Sequence, residues 1–359
     1  MTTLSLWTLG ISSPLLAAAA AERAEAAGWH GFGVVDSQNL AGDSYVALAL
    51  AAKATTRLGL ATAVTNPVTR HPATTAAAIA SVQQLSGGRA ALGIGRGDSA
   101  LAHLGRAPLR VKPFERHLAI LQRYLLGESI PFGDLEFQEQ MAPPVENLGL
   151  AGTPTESRIH WIGGTAKVPL EVAATGARVI EVSARHADRV LLSVGADLER
   201  LRWGIEHARA ARREAGLDPS TLAFGAYVNL VCHPEVETAR RLVSGGLATF
   251  ARFAVMESGR ISGPVSDEQR KVLGDVRRAY DMRQHTAVGS PQASALTPEF
   301  IDRYAIVGPP AVCVERLRAV AALGIDKVMV VGPTLGADRE AARRSLEVLA
   351  AEVLPAFAA

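Results

Sequence analysis

Residues able to do chemistry gather in a few short stretches. The first is Gly93-Ile94-Gly95-Arg96-Gly97-Asp98-Ser99. Alternating glycines let a backbone approach a flat ligand closely. Asp98 and Ser99 then add an acid and a hydroxyl. The second stretch, Thr65-Asn66-Pro67-Val68-Thr69-Arg70-His71-Pro72, is a loop with two prolines in which His71 is a candidate acid–base group. A third is Asp36-Ser37, at the end of a short apolar run. Gly163-Gly164-Thr165, ahead of a helix, could offer backbone N–H groups to a phosphate. Each has a plainer alternative. Asp98 and Ser99 could cap a helix, Gly163-Gly164 could make a tight turn, and His71 could be a structural hydrogen-bonder.

Several chemistries lack their residues. No His-Glu-x-x-His is present, and Cys232 and Cys313 stand far apart, which argues against zinc hydrolysis. There is no Gly-x-Ser-x-Gly elbow. Glycines at 93, 95 and 97 do not make the Gly-x-Gly-x-x-Gly dinucleotide fingerprint. Lys167 and Lys327 fall off the strand ends where an aldolase would need them. A net charge of +2 gives no basic field for nucleic acid. No apolar run is long enough to span a bilayer. Leu15 to Ala21 is apolar, but no Lys or Arg precedes it, and Ser13-Pro14 reads as a helix start. Two cysteines in 359 residues fit a reducing compartment, so a cytoplasmic protein acting on a small-molecule substrate is expected.

The elements that must hold these residues alternate. Strands are expected at Leu4 to Leu9, Gly31 to Val35, Arg57 to Ala63 and Arg89 to Leu92. Four more are expected at Ile159 to Ile162, Arg189 to Val194, Ala223 to Val231 and Lys327 to Val331. Helices are expected between nearly all of them, including Pro14 to Ala27, Ser44 to Ala54, Pro72 to Leu85 and Val168 to His186. Eight strand–helix units predict an α/β fold, a (β/α)8 TIM barrel with insertions after strand 4 and strand 7, spanning 1–359 as one domain. The insertions are about 130–150 and 233–304. Both are expected on the catalytic face, the first as a hairpin or lid. Strand ends then collect Asp36, Ser37, Thr62 to Asn66, Gly95 to Ser99, Gly163 to Thr165, Ser193 to Ala196, and Gly332 to Thr334. Such a mouth, rich in small residues, suits a large planar cofactor.

Gly87-Gly88-Arg89 leading into Leu92-Gly93-Ile94-Gly95-Arg96-Gly97-Asp98 resembles the strand-four motif of the luciferase-like flavin and deazaflavin oxidoreductases. Thr65 to Pro72 resembles the strand-three loop of their methylenetetrahydromethanopterin reductase branch. Ile162-Gly163-Gly164 and Ala187-Asp188-Arg189-Val190 are similar to later strands of the family. The resemblance implies a barrel binding coenzyme F420, with FMN as the alternative. It implies hydride transfer to or from a small organic substrate, or FMNH2 monooxygenation with oxygen. A barrel that only binds or assembles is the alternative of another class.

In the deazaflavin branch the carboxylate near the hydride-transfer site falls on Asp98, where a protonated acid could give a proton to the substrate or bond the ring edge. The acid after strand two falls on Asp36, although Ser37 stands where family members often carry a histidine. The family's non-proline cis peptide, which bends the ring, falls on Thr62, Ala63 and Val64. Cofactor contacts fall on Thr65, Asn66, Gly95, Gly97 and Ser99. The phosphate region falls on Gly163, Gly164 and Thr165, with Ser193 and Gly195 nearby. Barrels of this kind often form homodimers.

Overall fold

The computed structural model describes residues 4–358 apart from 138, 139, 141, 257, 258 and 335. Eight parallel strands close into a barrel: β1 (Ser5–Gly10), β2 (Gly31–Val34), β3 (Gly59–Thr62), β4 (Ala90–Ile94), β5 (Leu170–Ala174), β6 (Arg189–Leu192), β7 (Ala223–Cys232) and β8 (Lys327–Val331). Closure is made by β8 on β1, where Ser5 pairs with Lys327 and Trp7 with Met329. Helices pack outside: α1 (Ala17–Ala26), α2 (Ser44–Ala54), α3 (Pro72–Ser86), α4 (Val111–Leu125), α5 (Ala177–His186), α6 (Leu198–Glu214), α7 (Val236–Phe253), α8 (Asp267–Ala279), α9 (Pro310–Ala321) and α10 (Arg339–Val348). No helix among the described residues is long and apolar enough to cross a membrane.

Local chemistry explains the boundaries. Asp43 caps α2 by accepting from the Tyr45 and Val46 N–H groups. Pro72 opens α3 behind His71, and Gly87 closes it at φ +65°. Gly93 is dictated by packing between strands. A Cβ there would lie 2.0 Å from the Thr62 carbonyl oxygen of the neighbouring strand.

Strand five differs from expectation. It is Leu170–Ala174, inside the stretch expected to be helical, and the helix begins only at Ala177. His160–Ile162 is a single 3-10 turn. The run Leu-Glu-Val-Ala-Ala contains strong helix formers. Barrel closure overrides that preference, because Leu170, Glu171 and Val172 register against Leu92, Gly93 and Ile94.

The first insertion also lies elsewhere than expected. It follows α4 rather than a strand, so it leaves the barrel at the amino end of the strands. Ile130–Pro131 and Glu156–Ser157 pair as a minimal antiparallel hairpin. Arg116 binds Glu136 and Arg123 binds Asp134, which strap the segment along α4. The second insertion builds its own apolar core from α7, α8 and the segment Pro298–Tyr304, including Leu242, Leu247, Leu273 and Phe300. A short strand, Ile306–Gly308, joins it to the top of β7.

The barrel interior is layered. At the amino end Lys327 Nζ lies 2.7 Å from Glu171 Oε2, and Arg189 Nε lies 3.1 Å from Oε1 of the same carboxylate. Burial pushes the Lys327 ammonium down, and Glu171 opposes that shift. Above sits an apolar layer with Trp7, Ala61, Ala91, Leu191, Tyr227 and Met329. The Lys327 ammonium rests 3.3 Å from the Trp7 ring centroid.

Removing one partner of this buried pair leaves an uncompensated charge. Glu171→Gln should therefore cost about 3–5 kcal/mol in urea unfolding. Lys327→Met should cost less, because Glu171 keeps Arg189. The reverse order of the two losses would refute the account.

Candidate functional site

The carboxyl ends of the strands open on a cavity of about 720 Å³, roofed by the second insertion. From β2 come Asp36 and Ser37, from β3 Ala63 to Asn66, from β4 Gly95 to Ala100, from β5 Thr175 and Gly176, and from β6 Ser193. The insertion adds Thr249, Phe250, Phe253, Arg260, Ser262 and His285. Of the residues singled out in the sequence, the structure brings together Asp36, Ala63, Val64, Thr65, Asn66, Gly95, Gly97, Asp98, Ser99 and Ser193.

At the floor, Ala63 and Val64 are joined by a cis peptide bond, at the place the resemblance indicated. Asp36 is 7% exposed, and its Oδ2 accepts from Thr65 Oγ1 at 2.6 Å. Tyr45 packs nearby, and burial followed by the Asp36 charge pushes its phenol up. Asn66 Oδ1 accepts from the Val68 and Thr69 N–H groups, while its Nδ2 is buried without a partner. Gly97 takes φ +88°, a backbone that side chains rarely adopt, and so turns the loop to present Asp98. Ser37 Oγ lies 3.2 Å from Ser99 Oγ, and Gln38 donates to the Ala100 carbonyl, tying the β2 and β4 loops together.

Asp98 is not surrounded by apolar groups. Its Oδ1 accepts from the Arg252 guanidinium of α7, and its Oδ2 is buried without a partner. Arg252 in turn stacks 4.5 Å from the Tyr280 ring centroid. The acid expected to stand as a neutral proton donor is one half of an ion pair across the mouth.

At the other end, Arg200 on α6 is 1% exposed, donates to the Pro264 carbonyl at 2.9 Å, and leaves Nε without a partner. Ser193, Thr175, Ser262 and Arg260 surround the same space. Gly176 caps the N-terminus of α5, whose free N–H groups favour an anion. Two guanidiniums, three hydroxyls and a helix start give this end the chemistry suited to an anion.

That end replaces the one expected at Gly163, Gly164 and Thr165. Thr165 Oγ1 accepts from Gln84 near the C-terminus of α3, and Ala166 accepts from Gln83. Those residues lie at the amino end of the barrel, opposite the mouth. The error follows from strand five. Once Leu170–Ala174 is the strand, Thr175-Gly176 is the strand–helix turn. Three more expectations change. His71 caps α3 by accepting from the Ala73 N–H, stacks on Phe137 at 4.9 Å and does not line the cavity. Thr62 Oγ1 donates to the Gly93 carbonyl at 2.7 Å, inside the sheet. Gly195 packs on Tyr304 rather than on the cavity. Nor does any described residue of the first insertion line it. Sequence reasoning missed Arg252, Arg260 and His285, which only the folded insertion brings to the mouth, and Arg200, which stands in the first turn of α6 beyond the end of β6.

The family model for luciferase-like monooxygenases matches residues 11–327. A 5,10-methylenetetrahydromethanopterin reductase of Archaeoglobus fulgidus is 25% identical over 320 residues, 87% of this chain and 86% of the relative. The solved coenzyme F420-dependent tetrahydromethanopterin reductase of Methanopyrus kandleri superposes with a TM-score of 0.71 at 21% identity, covering 99% of both chains. An F420-dependent secondary alcohol dehydrogenase, solved with an F420–acetone adduct, gives 0.68 at 17% identity, also over 99% of both chains. Both likenesses speak to the fold.

His117 on α4 supplies a pH test of the scaffold. Burial, and secondarily His71, push its imidazole down to about 4. Between that value and about 6.5, the unfolded chain binds a proton there that the folded chain does not. Stability should fall by about 3 kcal/mol as pH drops across this window, with no further loss from this group below it. His117→Phe should flatten the slope in urea melts taken across the window, and an unaltered slope would exclude the assignment.

Proposed function

Because this chain belongs to the luciferase-like monooxygenase family, we propose that it is an oxidoreductase moving a hydride between coenzyme F420 and a small organic substrate. The carrying observation is the polarity of the cavity. One end holds Arg200, Arg260 and the α5 N-terminus, suited to a phosphate. The other holds Asp98 and the apolar side chains of Phe250 and Phe253. Between them runs a floor of Ala63, Val64 and Gly95, low enough for a flat ring. The likeness to an F420-dependent reductase and an F420-dependent alcohol dehydrogenase supports the deazaflavin over FMN.

The residues fit such a group. Asn66 Nδ2, Arg200 Nε and Asp98 Oδ2 are buried polar atoms without protein partners. Buried polar atoms of this kind generally find a bond. Arg200 and Arg260 would hold the phosphate. Asn66 would donate to the ring edge. Bound there, F420 supplies a ring carbon that takes or gives a hydride. The protein's task is to orient that ring and keep water away, which needs shape more than charge. In this reading the whole chain, 1–359, acts as one domain, since barrel and insertion both line the cavity.

Titrating the purified protein with F420 and with FMN tests the cofactor. F420 should bind at least about tenfold tighter, a difference of about 1.4 kcal/mol. Tight FMN binding without F420 binding would overturn the reading in favour of a flavin monooxygenase. Arg260 is exposed at the cavity edge, so its replacement spares the core. Arg260→Gln should weaken F420 binding by about 1.5–3 kcal/mol, the range for a charged hydrogen bond. Unaltered affinity would place the phosphate elsewhere.

A further inference from the structure

The chain's two cysteines lie far apart in the sequence but meet at the base of the second insertion. Cys232 is the last residue of β7, just before the insertion, and Cys313 lies in α9, just after it. Strand register sets Gly308 beside Cys232. The Gly308 carbonyl accepts from the His233 N–H at 2.9 Å, and the Cys313 thiol lies 3.5 Å from the same oxygen. The two thiols are hydrogen-bonded to each other. Both cysteines are free and fully buried in the main apolar core.

A single buried cysteine behaves as a small apolar residue. Two thiols in contact have a second chemistry open to them. Contact with Cys313 holds the Cys232 thiol below its usual range, against the opposing effects of burial and the Glu352 charge. Cys232 is thus the sulfur that meets an oxidant first, and Cys313 the sulfur that resolves it. We propose that Cys232 and Cys313 form a reversible disulfide that staples the base of the second insertion. The Cys232 sulfur attacks hydrogen peroxide, the O–O bond breaks, and a sulfenic acid forms with release of one water. Cys313 then displaces the sulfenic hydroxyl as a second water, and the S–S bond forms. The two thiols lose two electrons and two protons, which the peroxide takes up, and a dithiol reductant returns both. The ring so closed contains the whole insertion, including Arg252, Arg260 and His285. In the reduced protein the short strand Ile306–Gly308 joins the insertion's exit to β7 through backbone pairing. Oxidation adds a covalent bond between entry and exit. Because neither thiol is exposed, the oxidant reaches them only when this base opens locally, and the bond then restrains that opening.

The test treats the native, reduced protein with diamide, a small thiol-specific oxidant that takes the same two electrons and two protons from a thiol pair. The treated protein is then unfolded in acid and alkylated. Mass spectrometry should show a monomer that has lost two hydrogens and gained no alkyl group. The peptides carrying Cys232 and Cys313 should be joined until dithiothreitol is added. The urea midpoint should rise by roughly 1 M on oxidation, because a long closed loop restrains the unfolded chain, and return on reduction. Cys313→Ala should keep its midpoint under the same treatment. If that variant does not fold, the wild-type mass and midpoint still decide. Two alkylated cysteines after treatment, a bond between two chains, or an oxidised protein with an unmoved midpoint each overturn the proposal. An equal midpoint shift in Cys313→Ala does so as well, because it would arise without the bond.

Discussion

The ion pair between Asp98 and Arg252 holds the site in one piece. Asp98 sits on the loop after β4, part of the barrel rim, and Arg252 sits near the end of α7, part of the insertion. The two side chains are 19% and 14% exposed, so solvent screens the pair only weakly. Because Arg252 also stacks on Tyr280, one contact locks rim, roof and the Tyr280–His285 segment into a single arrangement. Other contacts tie the insertion to the barrel beyond β6, where Arg200 donates to the Pro264 carbonyl and Gln269 and Arg303 donate to Asp197, but these do not involve the β4 loop.

That lock gives the cavity its direction. Positive charge and helix N–H groups lie toward β5 and β6, and the insertion's aromatics lie above the β3–β4 floor. An elongated molecule with an anion at one end and a flat ring at the other can satisfy both only one way round. Orientation of this kind is a large share of what an enzyme of hydride transfer must supply, since the reacting atoms need close, aligned contact. The cavity achieves it mostly with backbone and small residues, leaving a few titratable groups for protons.

The sequence showed the framework better than the site. Seven of the eight strands were legible because they stand between clear helix starts and stops, such as Asp43 before α2 and Gly87 after α3. The β4 loop was legible because glycines at 93, 95 and 97 have a backbone reason that side-chain residues cannot meet. Strand five was not. Its residues favour a helix, and only pairing with β4 and β6 settles the matter. That one displacement moved the strand–helix turn from Gly163-Gly164 to Thr175-Gly176. His71 misled for another reason. A histidine before a proline is a plausible acid–base group and an equally plausible helix cap, and the two differ only in which way the ring faces. Arg200, Arg252 and His285 lie about 100 to 190 residues from the loop carrying Asp98, and no local pattern announces where the folded chain will bring them.

The barrel's lower layers explain why its upper end can be left open. A cylinder of eight strands has room for stacked layers of side chains. Here the lowest holds Glu171 and Asp326 against Lys327 and Arg189, two acids and two bases, and the middle holds Trp7, Tyr227 and Met329. Those bulky groups take up the volume that in other barrels three similar layers would share. The top layer can then be built from Ala63, Val64, Gly95 and Ala173, too small to fill the mouth. The cavity is thus a consequence of how volume is distributed along the barrel axis. The insertion does not create that space; it closes it, sets Arg260 and His285 on its wall, and pairs Arg252 with Asp98 at its rim.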